Sequence, residues 1–158
     1  MVLSRGDYVN ELLCNSLLTI ISGVLVFTLG QLFIEFVLRP IQEYKNLKAK
    51  VAKSLVFYAR YYSNPQNINT TDISPEWMAA ENNLRELASE VAAFAEIKPP
   101  NFLTLFYIPS KKNLAESFKN LIGLSNSVFV TDDYLHSYRD GIEYVNKVKK
   151  LMRISVLR

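Results

Sequence analysis

The stretch from Leu12 to Ile34 holds no charged residue and is largely apolar, and it ends at Glu35 and Arg39. As a helix rising about 1.5 Å per residue it spans roughly 35 Å, enough to cross a hydrocarbon core of about 30 Å with modest tilt. One N-terminal transmembrane helix, residues 12–38, is therefore expected. A short extracytoplasmic N-terminus, 1–11, precedes it and an aqueous domain, 39–158, follows. A signal peptide fits less well. The apolar run is too long, no small-residue cleavage site follows it, and Asp7 and Glu11 stand beside a single Arg5.

Charge sets the orientation. Arg5 is the one basic residue before the span, whereas Arg39, Lys45, Lys48, Lys50, Lys53 and Arg60 follow it against Glu43 alone. The positive-inside rule then places the N-terminus outside and the C-terminal domain in the cytoplasm. Asn69-Thr70-Thr71 matches a glycosylation acceptor, but this orientation hides it from that machinery. The single cysteine, Cys14, lies within the span, so an intramolecular disulfide and a Cys-based metal site are both excluded.

Within the span, Ser16, Thr19, Gly23, Val26, Gly30 and Phe33 recur at spacings of three and four. They form one face rich in small residues, of the kind that lets helices approach closely in lipid. Ser16, Thr19, Gly23 and Gly30 are thus candidates for a helix-packing face, although small residues are also common in single spans. Asn15 and Gln31 are the most polar side chains near its two ends. Glu35 and Arg39, four apart, can pair at the inner headgroup level.

Pro40 either opens a new helix or kinks a continuous one. From Ile41 to Tyr62 the residues Tyr44, Leu47, Val51, Leu55, Tyr58 and Tyr62 keep helical period. The distal part, Leu55 to Ala59, is apolar all round and is expected to be enclosed by the rest of the domain. Ser63-Asn64-Pro65 stops this helix. Ser74-Pro75 starts a third, reaching about Glu96, with Trp77, Ala80, Leu84, Leu87, Val91 and Phe94 as its stripe and Glu81 paired with Arg85 outside. Pro99-Pro100 ends it, and the apolar segment 101–108 reads as a core-filling connector. Ser110 opens a fourth helix with the stripe Leu114, Phe118, Leu121, Ile122, Ser125 and Phe129, leaving Gly123 on the outer face. Thr131-Asp132-Asp133 caps a fifth, reaching about Arg153, with Leu135, Tyr138, Ile142, Val145 and Met152 inward. No strand pattern competes. The expected fold class is all-α: one transmembrane helix, then a small cytoplasmic bundle of about four helices.

Chemistry is sparse. There is one histidine, His136, and no glycine-rich phosphate loop, Ser-His-Asp set or HExxH pair. Asp133, His136 and Asp140 share a helix face, but a metal needs a fourth ligand and a closed shell, and the acids already suit a helix start. No catalytic residue, cofactor or metal is expected. Lys111-Lys112 is unusual, because cations are disfavoured in a first helical turn. The pair points to a lipid phosphate or a partner carboxylate at the free amides, against the plainer reading of a solvated turn.

Arg39, Lys45 and Lys48 are the further candidates for lipid contact. If the second helix rises straight from the bilayer, Lys53 stands about 20 Å beyond Arg39, more than two Debye lengths of roughly 8 Å. The cluster Lys147, Lys149, Lys150, Arg153 and Arg158 suits a helix C-terminus. The net charge of +3 and the lack of any recognised motif argue against nucleic acid.

Several segments in order carry a resemblance: Arg39-Pro40-Ile41-Gln42-Glu43 after the span, Phe57-Tyr58-Ala59, and Tyr62-Ser63-Asn64-Pro65. Leu84-Arg85-Glu86-Leu87-Ala88 and Leu121-Ile122-Gly123-Leu124-Ser125-Asn126-Ser127 complete it. Over residues 12 to 130 the chain resembles a group of uncharacterised small bacterial single-pass membrane proteins. The resemblance implies an inner-membrane location and brings no activity, cofactor or catalytic residue. The expected role is a non-enzymatic, membrane-tethered interaction module. Its partners are the lipid bilayer and either a protein or a second copy bound through the span, with no nucleic acid. The alternative is an oligomerising, membrane-perturbing effector such as a toxin or defence-system component. An enzyme is the third reading, and no set of nucleophile, base and stabiliser supports it.

Overall fold

The computed structural model describes residues 5–69, 73–97, 106–130 and 134–155, with the side chains of residues 5–8 and 134 excepted. The chain divides into two compact units, Met1–Arg39 and Pro40–Arg158. Among the described residues it is all-α apart from one very short ladder.

The first unit is essentially one helix, α1, Arg5–Phe33, followed by a π-helical turn over Ile34–Leu38. From Val9 to Phe33 every residue is exposed, and the helix is long and apolar enough to cross a membrane. The next helix, α2, runs over Arg39–Phe57 and carries Pro40 as its second residue. Both readings of Pro40 are thereby refined. Its ring would crowd the carbonyl of Phe36 in a regular α-turn, and it brings no N–H. The π turn just before it, where the Arg39 amide reaches back to the Ile34 carbonyl, widens the ladder at that point.

The second unit closes a core of its own. Tyr44, Leu47, Val51 and Leu55 of α2 face inward as their spacing predicts. The helix then breaks at Tyr58 and resumes as a single turn, α3, Ala59–Ser63. The expectation of an enclosed distal end fails for Val56 and Phe57, which lie about 100° and 200° round from Leu55 and are exposed, Phe57 at 67%. Phe57 instead sets its edge against Tyr58, with ring centroids 5.0 Å apart.

Helix α4, Pro75–Ile97, begins at Ser74-Pro75 as read and buries Ala80, Leu84, Leu87, Ala88, Val91 and Phe94. Its outer Glu81 pairs with Arg85 at 2.7 Å, and Arg85 also donates to Asn126 Oδ1 at 2.8 Å. Helix α5, Lys111–Asn126, is capped by Ser110, whose hydroxyl accepts from the Asn113 amide. Its buried polar residues bond to its own carbonyls: Ser117 to Asn113, Asn120 to Glu116 and Ser125 to Ile122. Among the described residues no buried side-chain polar atom lacks a partner.

Two findings revise the strand and glycine readings. Gln66–Asn67 (β1) pairs in parallel with Phe129–Val130 (β2), so Phe129 belongs to a ladder and not to the helix stripe. Two residues per strand leave no period to detect. Gly123 is not on the outer face, because a Cβ there would meet the Tyr144 ring at 2.6 Å.

Helix α6, Tyr134–Leu151, is also turned relative to its expected face. Leu135 is 64% exposed and Tyr138 is exposed too, while Gly141 approaches the Tyr62 carbonyl and Ser127. The first turns of α6 thus pack through a small-residue face. The inward stripe is apolar only further on, at Val145, Val148 and Met152. The capping assigned to Thr131–Asp133, the stop at Pro99-Pro100 and most of the connector 101–108 lie outside the described residues. Ile108, at the connector's end, is fully buried.

The contacts order the helices as antiparallel neighbours. Tyr44 lies against Phe94 while Lys50 pairs with Glu90, Glu96 meets Lys111 while Arg85 meets Asn126, and Tyr44 reaches Met152 while Tyr62 approaches Gly141. Helix α6 ends in a Schellman motif: the Ile154 amide donates to Lys149 and the Arg153 amide to Lys150, with Arg153 at φ 56°. A branched side chain is strained there. Arg153→Val is expected to lower the stability of the detergent-solubilised chain by about 1–3 kcal/mol relative to Arg153→Gly. Both lose the Arg153 bond to the Phe106 carbonyl, so the difference in thermal midpoint reports the backbone alone.

Candidate functional site

The small-residue face of α1 separates into two kinds of position. The hydroxyls of Ser16 and Thr19 donate to the carbonyls of Leu12 and Asn15 at 2.9 Å, so each is bonded within its own helix. Ser22 and Thr28 do the same. Gly23 and Gly30 have open space where a Cβ would stand. Close approach of another helix would therefore use the glycines, whereas a hydroxyl bond across helices would compete with one already made. Cys14 is exposed on the same helix.

The basic candidates are held differently from one another. Arg39 pairs with Glu35 one turn back, as the spacing predicts. Lys45 is exposed and Lys48 half-buried on α2. Lys111 meets Glu96 of α4 at 2.7 Å, an ion pair within the chain. Lys112 is exposed beside it. Hydrogen bonding to Glu90 raises the Lys50 pKa, and bonding to Lys147 lowers that of Glu143.

Of the charged group on α6, His136 and Asp140 are described. His136 is 72% exposed and its Nδ1 lies 3.3 Å from Asp140 Oδ1, while Asp133 lies outside the described residues. Among the described residues no three His, Cys, Asp or Glu are grouped to hold a metal.

Two surface grooves are more apolar. One, of about 360 Å³, is lined by Ile68, Ile73, Met78 and Phe129 with Glu81 and Arg85. The other, of about 320 Å³, lies over Ala92, Ala95, Ala115 and Phe118 beside the Glu96–Lys111 pair. Neither brings together a nucleophile, a base and a stabilising donor.

Two tyrosines carry more than their place in an apolar stripe suggests. Tyr44 Oη donates to the Met152 carbonyl and Tyr62 Oη to the Leu55 carbonyl, each at 2.6 Å and buried. Burial pushes the Tyr44 phenol up to about 12, opposed by the nearby Arg153 charge, and burial raises Tyr62 as well. Helical period marks both as inward-facing. Tyr44 reaches a carbonyl 108 positions away, which no local signal encodes, whereas Tyr62 reaches back seven residues across the helix break at Tyr58.

Comparison with protein-family models, with curated proteins and with solved structures finds no match to this chain. Its chemistry therefore rests on its own residues.

Tyr44→Phe leaves a buried carbonyl without its donor and is expected to cost about 1–3 kcal/mol. The pH dependence has a definite sign. The folded phenol titrates above the unfolded value of 10.0, so its contribution is complete below pH 10.0 and is lost as pH rises toward about 12. Thermal midpoints measured across that window should fall less steeply for Tyr44→Phe than for the parent.

Proposed function

We propose that the chain is a membrane-tethered helical interaction module without catalysis of its own. Helix α1 holds it in a bacterial inner membrane. A small bundle formed by α2, α4, α5 and α6 stands in the cytoplasm and binds a protein partner. One contrast carries this reading. Between Val9 and Phe33, α1 encloses none of its apolar side chains, whereas the Pro40–Arg158 unit closes a core and satisfies its described buried polar groups without help. In water, exposure on that scale is unfavourable by about 25 cal/mol per Å², and a bilayer removes it. The charge asymmetry about the span supports the orientation, and the resemblance to small bacterial single-pass proteins supports the location.

A second reading keeps one observation. Gly23 and Gly30 leave room for another α1, so an oligomerising, membrane-perturbing effector is the alternative. The bonded hydroxyls of Ser16 and Thr19 offer it no further support.

The chain should stay in the membrane fraction through alkaline carbonate extraction. A reporter fused to its C-terminus should be active only in the form that works in the cytoplasm. Release by carbonate would sink the tether, and an active periplasmic reporter would reverse the orientation. Membrane potential separates the two roles. The module predicts the same potential for the parent and for Gly23→Leu with Gly30→Leu. Depolarisation by the parent alone would transfer the assignment to the effector.

A further inference from the structure

We infer that one end of the Pro40–Arg158 unit, where the chain joins the span, is a docking surface for anionic lipid headgroups. Basic side chains from three helices form it around exposed apolar ones. The inference rests on the membrane-tethered reading and names what the tethered domain touches.

Independent contacts bring the parts to this end. The Tyr44 hydroxyl meets the Met152 carbonyl at 2.6 Å, which sets the C-terminus of α6 against the first turns of α2. The Tyr44 ring lies 5.9 Å from that of Phe94, which adds the C-terminus of α4. Lys111 bonds to Glu96 at 2.7 Å, which adds the N-terminus of α5. Arg153 Nη1 donates to the Phe106 carbonyl at 2.8 Å, so the segment before Ser110 sits there too.

The charges gathered by these contacts are strongly of one sign. Lys45 and Lys48 come from α2, and Lys111 and Lys112 from α5. Lys149, Lys150 and Arg153 come from the end of α6, far away in sequence. Among the described residues the acids at this end are Glu43 and Glu96, and Glu96 is already engaged by Lys111. Between the charges stand exposed apolar side chains: Ile97 at 71%, Phe106 at 74% and Tyr107 at 61%. Cations with exposed aromatic rings suit a headgroup interface, where rings sit at the boundary and each basic side chain is drawn to anionic lipid. A nucleic-acid backbone would reward the cations but not Ile97 or the rings.

Connectivity selects the bilayer as occupant. Tyr44 stands five residues beyond Arg39 along α2, roughly 7.5 Å of helix, so this end of the unit is the one nearest along the chain to the span. Counting along α2 limits the surface-sensing cations to Arg39, Lys45 and Lys48. The contacts above bring the end of α6 and the start of α5 to the same end of the unit as the start of α2.

The test uses the full chain in vesicles, with Cys14→Ser to remove its one cysteine. A fluorophore is placed at Tyr107→Cys, at Ile68→Cys beside β1 as the remote control, or at Phe27→Cys in α1. The vesicles are phosphatidylcholine alone or mixed with phosphatidylglycerol, and carry a nitroxide at either the headgroup or the bilayer midplane. The probe at 107 should be quenched from the headgroup level in anionic vesicles and the probe at 68 should not. Lys112→Gln and Lys150→Gln should each lower the docked-to-undocked ratio roughly fivefold. Salt at about 1 M, which shortens the Debye length to about 3 Å, should produce the same loss with no substitution.

No quenching at 107, with the probe at 27 still quenched from the midplane, would overturn the docking surface and leave the tether standing. Loss of quenching at both sites would overturn the tether. Equal quenching at 107 in neutral vesicles, equal quenching at 68, or displacement of 107 by a short DNA duplex would each overturn the anionic-lipid assignment.

Discussion

The buried hydrogen bond from Tyr44 Oη to the Met152 carbonyl joins residues 108 positions apart. It closes the second unit on itself. Apolar contacts alone leave the register of one helix along another loosely defined. A buried donor and acceptor cannot slide by a turn without leaving both unpaired, at a cost larger than the bond's own net contribution. Arg153 adds a second restraint nearby. Its positive φ turns the chain out of α6, and its guanidinium then ties down the Phe106 carbonyl. Two polar contacts at one end thus fix what an apolar core alone would leave open.

Most of the helices are legible in the sequence because their signals are local. The Ser74-Pro75 start, the Ser110 cap, the stripe from Ala80 to Phe94 and the apolar run of α1 each lie within one or two turns. The errors share a different cause. Val56 and Phe57 look buried in a window that is apolar all round, yet only one face of a helix meets the core. Leu135 and Tyr138 look inward by hydrophobicity, but α6 approaches α5 and α3 through Ser137 and Gly141, where small size permits contact that large side chains would block. Gly123 falls outside the apolar stripe of α5, yet the Tyr144 ring takes the space beside it. Hydrophobic periodicity locates a helix more reliably than it locates the face of closest approach.

The candidate site follows the same division. The cations at Arg39, Lys45, Lys48, Lys111 and Lys112 are visible in the sequence, and so are the glycines of α1. That Lys111 finds Glu96, and that the basic end of α6 lies beside Tyr44, depends on antiparallel packing of segments far apart in the chain. Local reasoning assigns Lys149 and Lys150 to the α6 dipole and stops there. Both stand in the last turn of α6, and that place is compatible with a further role, because a charge that stabilises a helix end still projects its field into solvent.

Placing one end of the domain against lipid headgroups restricts where a protein partner can bind. The groove over Ala92, Ala95 and Ala115 lies beside the Glu96–Lys111 pair, hence at the same end, and a docked bilayer would compete for access to it. The groove of Ile68, Ile73, Met78 and Phe129 lies toward the opposite end, beside the β1–β2 ladder and the Arg85–Asn126 contact. Lipid docking and partner binding are therefore separable on this domain only if the partner uses that far groove. A partner that uses the alanine groove must displace the headgroups first, which would make its apparent affinity fall as the anionic lipid content rises.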